Sequence, residues 1–150
     1  MRQNTYLMYA SVALILFLVL LVLFLPHSAR GRSVNIGSYR IPVEVADTDA
    51  LRSRGLGGRT SLPSGKGMLF TFPDAEPERG FWMLDMRFPL DIIWIDQGTV
   101  TDISTLPAPT STVYIPEHIS TFPADRVLEL NAGEAQAMGI VPGAHLDGLY

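Results

Sequence analysis

Tyr6 to Leu25 reads "YLMYASVALILFLVLLVLFL", a run without a charge, a proline or a glycine. About 20 apolar helical residues span a bilayer core, so this run is expected to be a transmembrane helix. A removed secretory signal has a shorter apolar core and a small-residue cleavage site. The flank here is "PHSARGRS": Ala29 could precede a cut, but the bulky His27 stands where a small residue is wanted. The expected organisation is an uncleaved anchor over 1–25, a polar linker over 26–33 and one folded domain over 34–150. The lipid bilayer, met through residues 6–25, is the first expected partner.

The side of the membrane is argued both ways. Arg30, Arg32 and Arg40 come after the span and only Arg2 precedes it, which by the positive-inside rule holds the domain in the cytoplasm. The short head with one arginine resembles instead the start of a signal-anchor, which exports the chain beyond it. The extracytoplasmic side is the expectation taken. Beyond residue 25 the chain carries 15 acids against 10 basic residues, Arg2 being the only one of the 11 removed. A net charge near −5 argues against nucleic acid as a partner, since phosphate binding needs a basic face.

The rest of the chain is cut into short pieces by turn residues. "VNIGSYRIPVEVA" alternates apolar and polar positions around Gly37-Ser38, the pattern of a hairpin, and Pro42 suggests an edge strand. Asp47 or Thr48 can cap a short helix that Gly55 ends. Residues 57–67 are loop by composition. "MLFTF" (68–72) is a strand closed by Pro73-Asp74. Phe81-Trp82-Met83, Leu90 to Ile95, 99–105, 126–130 and 144–146 are the later strands, with Val113-Tyr114-Ile115 pairing inside the long segment 106–125. Asn131 and Glu134 have the spacing of a capping box before a second short helix. About seven short strands and two short helices point to a mainly β, sandwich-like or barrel-like domain.

Most chemistry is missing by motif. With no cysteine there is no thiol nucleophile, no disulfide framework and no lipid-modified cysteine. No Gly-x-Ser-x-Gly elbow, phosphate loop or dinucleotide fingerprint occurs. His27, His118 and His145 are scattered without a second ligand at a metal spacing, so no metal or cofactor is expected. His118 reads as a solvated loop residue without an orienting partner.

"FWMLDMRFPLDIIWID" (81–96) is the exception. Leu90, Ile92 and Trp94 face one way on their strand; Asp91, Ile93 and Ile95 face the other. Both faces are apolar, so the strand is central and Asp91 must be paired or hydrogen-bonded. Its partner is expected to be Arg87 or the backbone N–H groups of the corner; alternatively Asp91 faces a ligand in a cleft lined by Trp82 and Trp94. Trp82, Asp85, Arg87 and Asp91 are the candidate binding residues.

"RSRGLGGRTSLPSGKGMLFTF", "FWMLDMRFPLDIIWID" with its following "GTV", and "VLELNAGEAQAMGIVPG" resemble, in order, the main blocks of the Domain of Unknown Function 192 family. The resemblance covers roughly residues 40–148 and implies a small, mostly β domain, often behind a signal or anchor, with no established activity. This chain departs at Leu84, Gly57 and Ala144, where Lys, Met and Asp are common in the family. The expected function is a membrane-anchored binding or accessory module at the cell envelope, its ligand a glycan, a peptide or another protein. The alternatives are an acid/base enzyme using Asp85 and Asp91 and a structural or assembly domain without a small-molecule site.

Overall fold

The computed structural model describes residues 31–149 apart from 77 and 112. The expected anchor over 1–25 lies outside them; among the described residues no helix is long and apolar enough to cross a membrane. Nine strands and two short helices are described: β1 (Arg32–Ile36), β2 (Tyr39–Ala46), α1 (Asp49–Arg54), β3 (Gly67–Glu76), β4 (Gly80–Trp82), β5 (Leu90–Asp96), β6 (Thr99–Leu106), β7 (Glu117–Ile119), β8 (Ala124–Asn131), α2 (Glu134–Ala137) and β9 (Leu146–Asp147).

Seven strands form one sheet in the order β6-β5-β8-β3-β2-β1-β9, while β4 and β7 make a separate ribbon. Within the large sheet only β2 and β3 run parallel. The two end strands meet. Thr99 bridges His145, and Leu146 N–H donates to the Gly98 carbonyl at 2.7 Å. The sheet is therefore an incompletely closed barrel, the barrel-like form of the mainly β fold. Gly98 is required at this closure. Its φ is +83°, and a Cβ there would lie 2.9 Å from His145 Cε1.

Strand alternation gives the sheet two apolar faces. Ile36, Ile41, Leu69, Ile93, Ile95, Leu128 and Leu130 fill the inner core. Met68, Phe70, Leu90, Ile92, Trp94 and Val127 face outward into a second core, covered by Leu56, Leu62, Met83 and Met86. The expected faces of β5 are thus observed, and the strand is central, between β6 and β8.

Local signals hold where the partner is local. Thr48 caps α1 by accepting from Leu51 N–H, and Gly55 ends it with φ 49°. The Gly37-Ser38 hairpin pairs Ile36 with Tyr39. Several expectations are corrected. β2 is no edge strand: it pairs with β1 and β3, and Pro42 is tolerated because pairing to β3 begins only at Val43. β3 continues beyond Pro73-Asp74, through a register irregularity between Thr71 and Glu76. Strand β7 forms at Glu117–Ile119 rather than at 113–115. Asn131 does not cap α2; the cap is Gly133, without a side-chain bond.

Candidate functional site

The segment 81–96 divides as the alternation of β4 dictates. Phe81 turns inward, its ring edge-on to Phe70 at 4.9 Å and to Trp94 at 6.3 Å. Met83 and Met86 are buried and pin the corner to the outer core. Trp82, between Phe81 and Met83, turns outward and is 57% exposed. Asp85 sits at the tip with φ 57°, a conformation that costs a non-glycine residue energy and collects at functional sites. Its carbonyl accepts the Gly58 N–H at 3.0 Å, tying the corner to the glycine-rich loop after α1.

Between that loop, the end of β3 and β4 runs an open groove of about 800 Å³, within the size range of small-molecule sites. Trp82, Asp85, Phe70, Phe72 and Met86 are among its lining residues. Arg79 lies on Phe72, its guanidinium carbon 3.6 Å from the ring centroid, and pairs with Asp74 at 2.8 Å. Arg52 donates to the Thr71 carbonyl at 2.7 Å and pairs with Asp49. Both arginines are thus held as walls. Arg87 lies outside this groove and, with Asp85, borders a smaller one of about 460 Å³.

Asp91 is elsewhere. It is 2% exposed and does not pair with Arg87. Thr105, directly across on β6, donates its hydroxyl to Oδ1 at 2.6 Å, and Ala135 N–H donates to Oδ2 at 2.9 Å. Asp91 therefore satisfies an N-terminal donor of α2, a group that would otherwise be an orphan. It lines neither groove, so Asp85 and Asp91 do not converge as an acid/base pair. Trp94 is likewise core, fully buried, and lines neither groove.

The carboxylate that does reach the groove is Glu129, which the strand pattern alone does not single out. On β8 it stands opposite Met68 of β3 and Ile92 of β5, so its face is apolar on both sides. It is 6% exposed, lines the groove, and its Oε2 has no hydrogen-bond partner. Burial pushes its carboxyl up to about 8, only partly opposed by Arg59. Arg59 is already committed, donating twice to Glu44 at 2.6 and 2.8 Å. Those bonds hold Glu44 below the usual carboxylate range and raise Arg59. The available signal is a lone Glu in "VLEL", flanked by apolar residues of both faces.

His118 also differs from expectation. It lies on β7, its Nε2 3.0 Å from Asp102 Oδ2 and its ring 4.7 Å from that of Trp94. The orienting partner exists, on a strand 16 residues away. Among the described residues no group of three His, Asp or Glu side chains is placed to hold a metal ion.

The fold and the groove define a class: a small, mostly β, incompletely closed barrel with a ligand-sized groove on its outer face. The profile of the family described as "Uncharacterized ACR", Domain of Unknown Function 192, matches residues 32–148, and the chain belongs to that family. A solved structure from Sinorhizobium meliloti 1021, described as a candidate transcription regulator, is 32% identical. That match covers 78% of this chain and 92% of that one, with a TM-score of 0.68. A protein of unknown function from Novosphingobium aromaticivorans DSM 12444 is 29% identical over 83% of this chain and 90% of that one, with a TM-score of 0.69. No curated protein matches.

Proposed function

We propose that this chain is a membrane-anchored binding module of the cell envelope, held by residues 6–25, whose outer groove takes an envelope glycan. The observation that carries the reading is Trp82. A tryptophan that the core does not use stands 57% exposed on the rim of an open groove of about 800 Å³. Such a ring offers a rigid apolar face with little conformational entropy to lose, which is why exposed tryptophans recur as binding anchors. Asp85 beside it supplies acceptors for hydroxyl groups. The acidic body, near −5 beyond residue 25, does not favour nucleic acid as the occupant.

The test is direct binding of full-length protein in detergent micelles to soluble peptidoglycan fragments. Wild type binds, and Trp82→Ala binds at least tenfold more weakly with an unchanged melting temperature. Equal binding by Trp82→Ala and wild type would make this tryptophan a passive surface residue. A C-terminal reporter active only outside the cytoplasm is the expected result for orientation.

A further inference from the structure

We propose that Glu129 is the polar recognition group on the groove floor, and that it takes a neutral carbonyl oxygen, the acetamido group of an N-acetylated amino sugar being the ligand chemistry that fits. The inference rests on the glycan reading above and names the part of the glycan that is read.

Its first support is geometry. Glu129 is more than nine-tenths buried, lines the groove, and carries a carboxyl oxygen without a partner. Buried polar groups are almost always hydrogen-bonded, and an exception inside a cavity calls for a reason. A ligand that supplies the missing partner is such a reason. Among the described residues nothing does so: its strand neighbours are Met68 and Ile92, and Arg59 is spent on Glu44.

The second support is charge. Burial keeps the Glu129 carboxyl protonated at neutral pH, so it offers an O–H donor. The charge that acts on it is Arg59 from the loop after α1, itself paired with Glu44 of β2; Arg54 of α1 and Asp85 of the corner are among the charged residues that line the same groove. Among the described residues of the groove wall, three arginines stand against four carboxylates besides Glu129. The wall selects neither sign strongly, which suits a neutral ligand. A cation would have to ionise Glu129 and pass three guanidinium groups; an anion would meet four carboxylates.

The third support is shape chemistry. Leu56, Phe70 and Met86 share the groove with Glu129. One donor among apolar side chains matches a group presenting one acceptor and a methyl, and an acetamido group presents both. A sugar ring carrying it can lie against Trp82 on the rim.

The experiment is calorimetric titration of the full-length protein in detergent micelles with tri-N-acetylchitotriose, and with chitotriose, its de-acetylated counterpart. Wild type is expected to bind the acetylated sugar at least tenfold more tightly, and to lose tenfold or more of that affinity between pH 6.5 and 9.5, as the donor ionises. Glu129→Gln keeps an N–H donor of the same size, so its affinity stays within about threefold and becomes level with pH. Glu129→Leu folds, by its thermal transition, and binds at least tenfold more weakly.

If Glu129→Leu binds like wild type while Trp82→Ala does not, Glu129 is merely structural and the inference falls, with the groove reading intact. Tighter binding of chitotriose overturns the neutral-carbonyl assignment. No binding of either sugar overturns the acetamido assignment, and the groove reading is then decided by the peptidoglycan fragments and Trp82→Ala alone.

Discussion

Two buried carboxylates lie on neighbouring strands of one sheet and meet opposite fates. Asp91 points into the inner core and finds both a hydroxyl and a backbone N–H. Glu129 points to the outer face and leaves an oxygen without a partner. The difference lies in what covers each face. Asp91 has β6 beside it in the sheet and the start of α2 against it, each bringing a donor. Over Glu129 come a glycine-rich loop and a methionine-anchored corner, which leave a groove instead of a contact. Burial alone therefore does not set the two acids apart; the presence or absence of a partner does.

The sharpest way to break this contrast is Asp91→Ala. It leaves the Thr105 hydroxyl and the Ala135 N–H without their acceptor, and hydrogen bonds to a charged group contribute about 1.5–3 kcal/mol each. A loss of about 3–4 kcal/mol in urea denaturation is expected on that basis, with α2 the first element to lose hydrogen-exchange protection. A loss under about 1 kcal/mol would mean that water replaces Asp91.

Glu129→Gln should act in the opposite direction. The Glu129 carboxyl is raised from 4.5 unfolded to about 8 folded. Between those values the folded state keeps a proton that the unfolded state releases. Stability therefore falls as pH rises from about 4.5 to about 8, by up to ~1.4 kcal/mol per pH unit, and is level above. Glu129→Gln removes this slope, so the stability difference between the two proteins shifts toward the variant by roughly 4–5 kcal/mol from below pH 4.5 to pH 8. An unchanged slope would place the titration elsewhere.

Smaller effects sharpen the comparison. Trp82→Ala should change stability by less than about 0.5 kcal/mol, as exposed substitutions usually do, while weakening ligand binding. Arg59→Ala breaks a largely exposed pair, worth under about 1 kcal/mol. It also removes the one charge that holds Glu129 down, so the Glu129 titration should move up; a downward move would contradict the placement of Arg59.

The same contrast explains what the sequence makes legible. Period-2 alternation and turn residues reveal the hairpin around Gly37-Ser38, both faces of β5 and the capped ends of α1, because each depends on residues a few positions apart. The family blocks lie in the same segments. The parallel pairing of β2 with β3, the meeting of Gly98-Thr99 with His145-Leu146, and the Asp91–Ala135 bond across 44 residues depend on closure of the barrel, which no local pattern encodes. At the groove, Trp82 and Asp85 are legible from their segment. Glu129 is not, because a strand Glu facing solvent and one facing a covering loop have the same sequence. Asp91 illustrates the reverse: its need for partners is legible, but their identity is not.

The most direct measurement is the pH titration of the Glu129 side-chain carboxyl carbon by NMR in the full-length protein, alone and with tri-N-acetylchitotriose. A midpoint near 8 in the free protein, moving higher when the sugar is bound, is the predicted result. A midpoint near 4.5, the ordinary value, or one that the sugar leaves unmoved, would contradict a neutral, unpartnered acid at the floor of the groove.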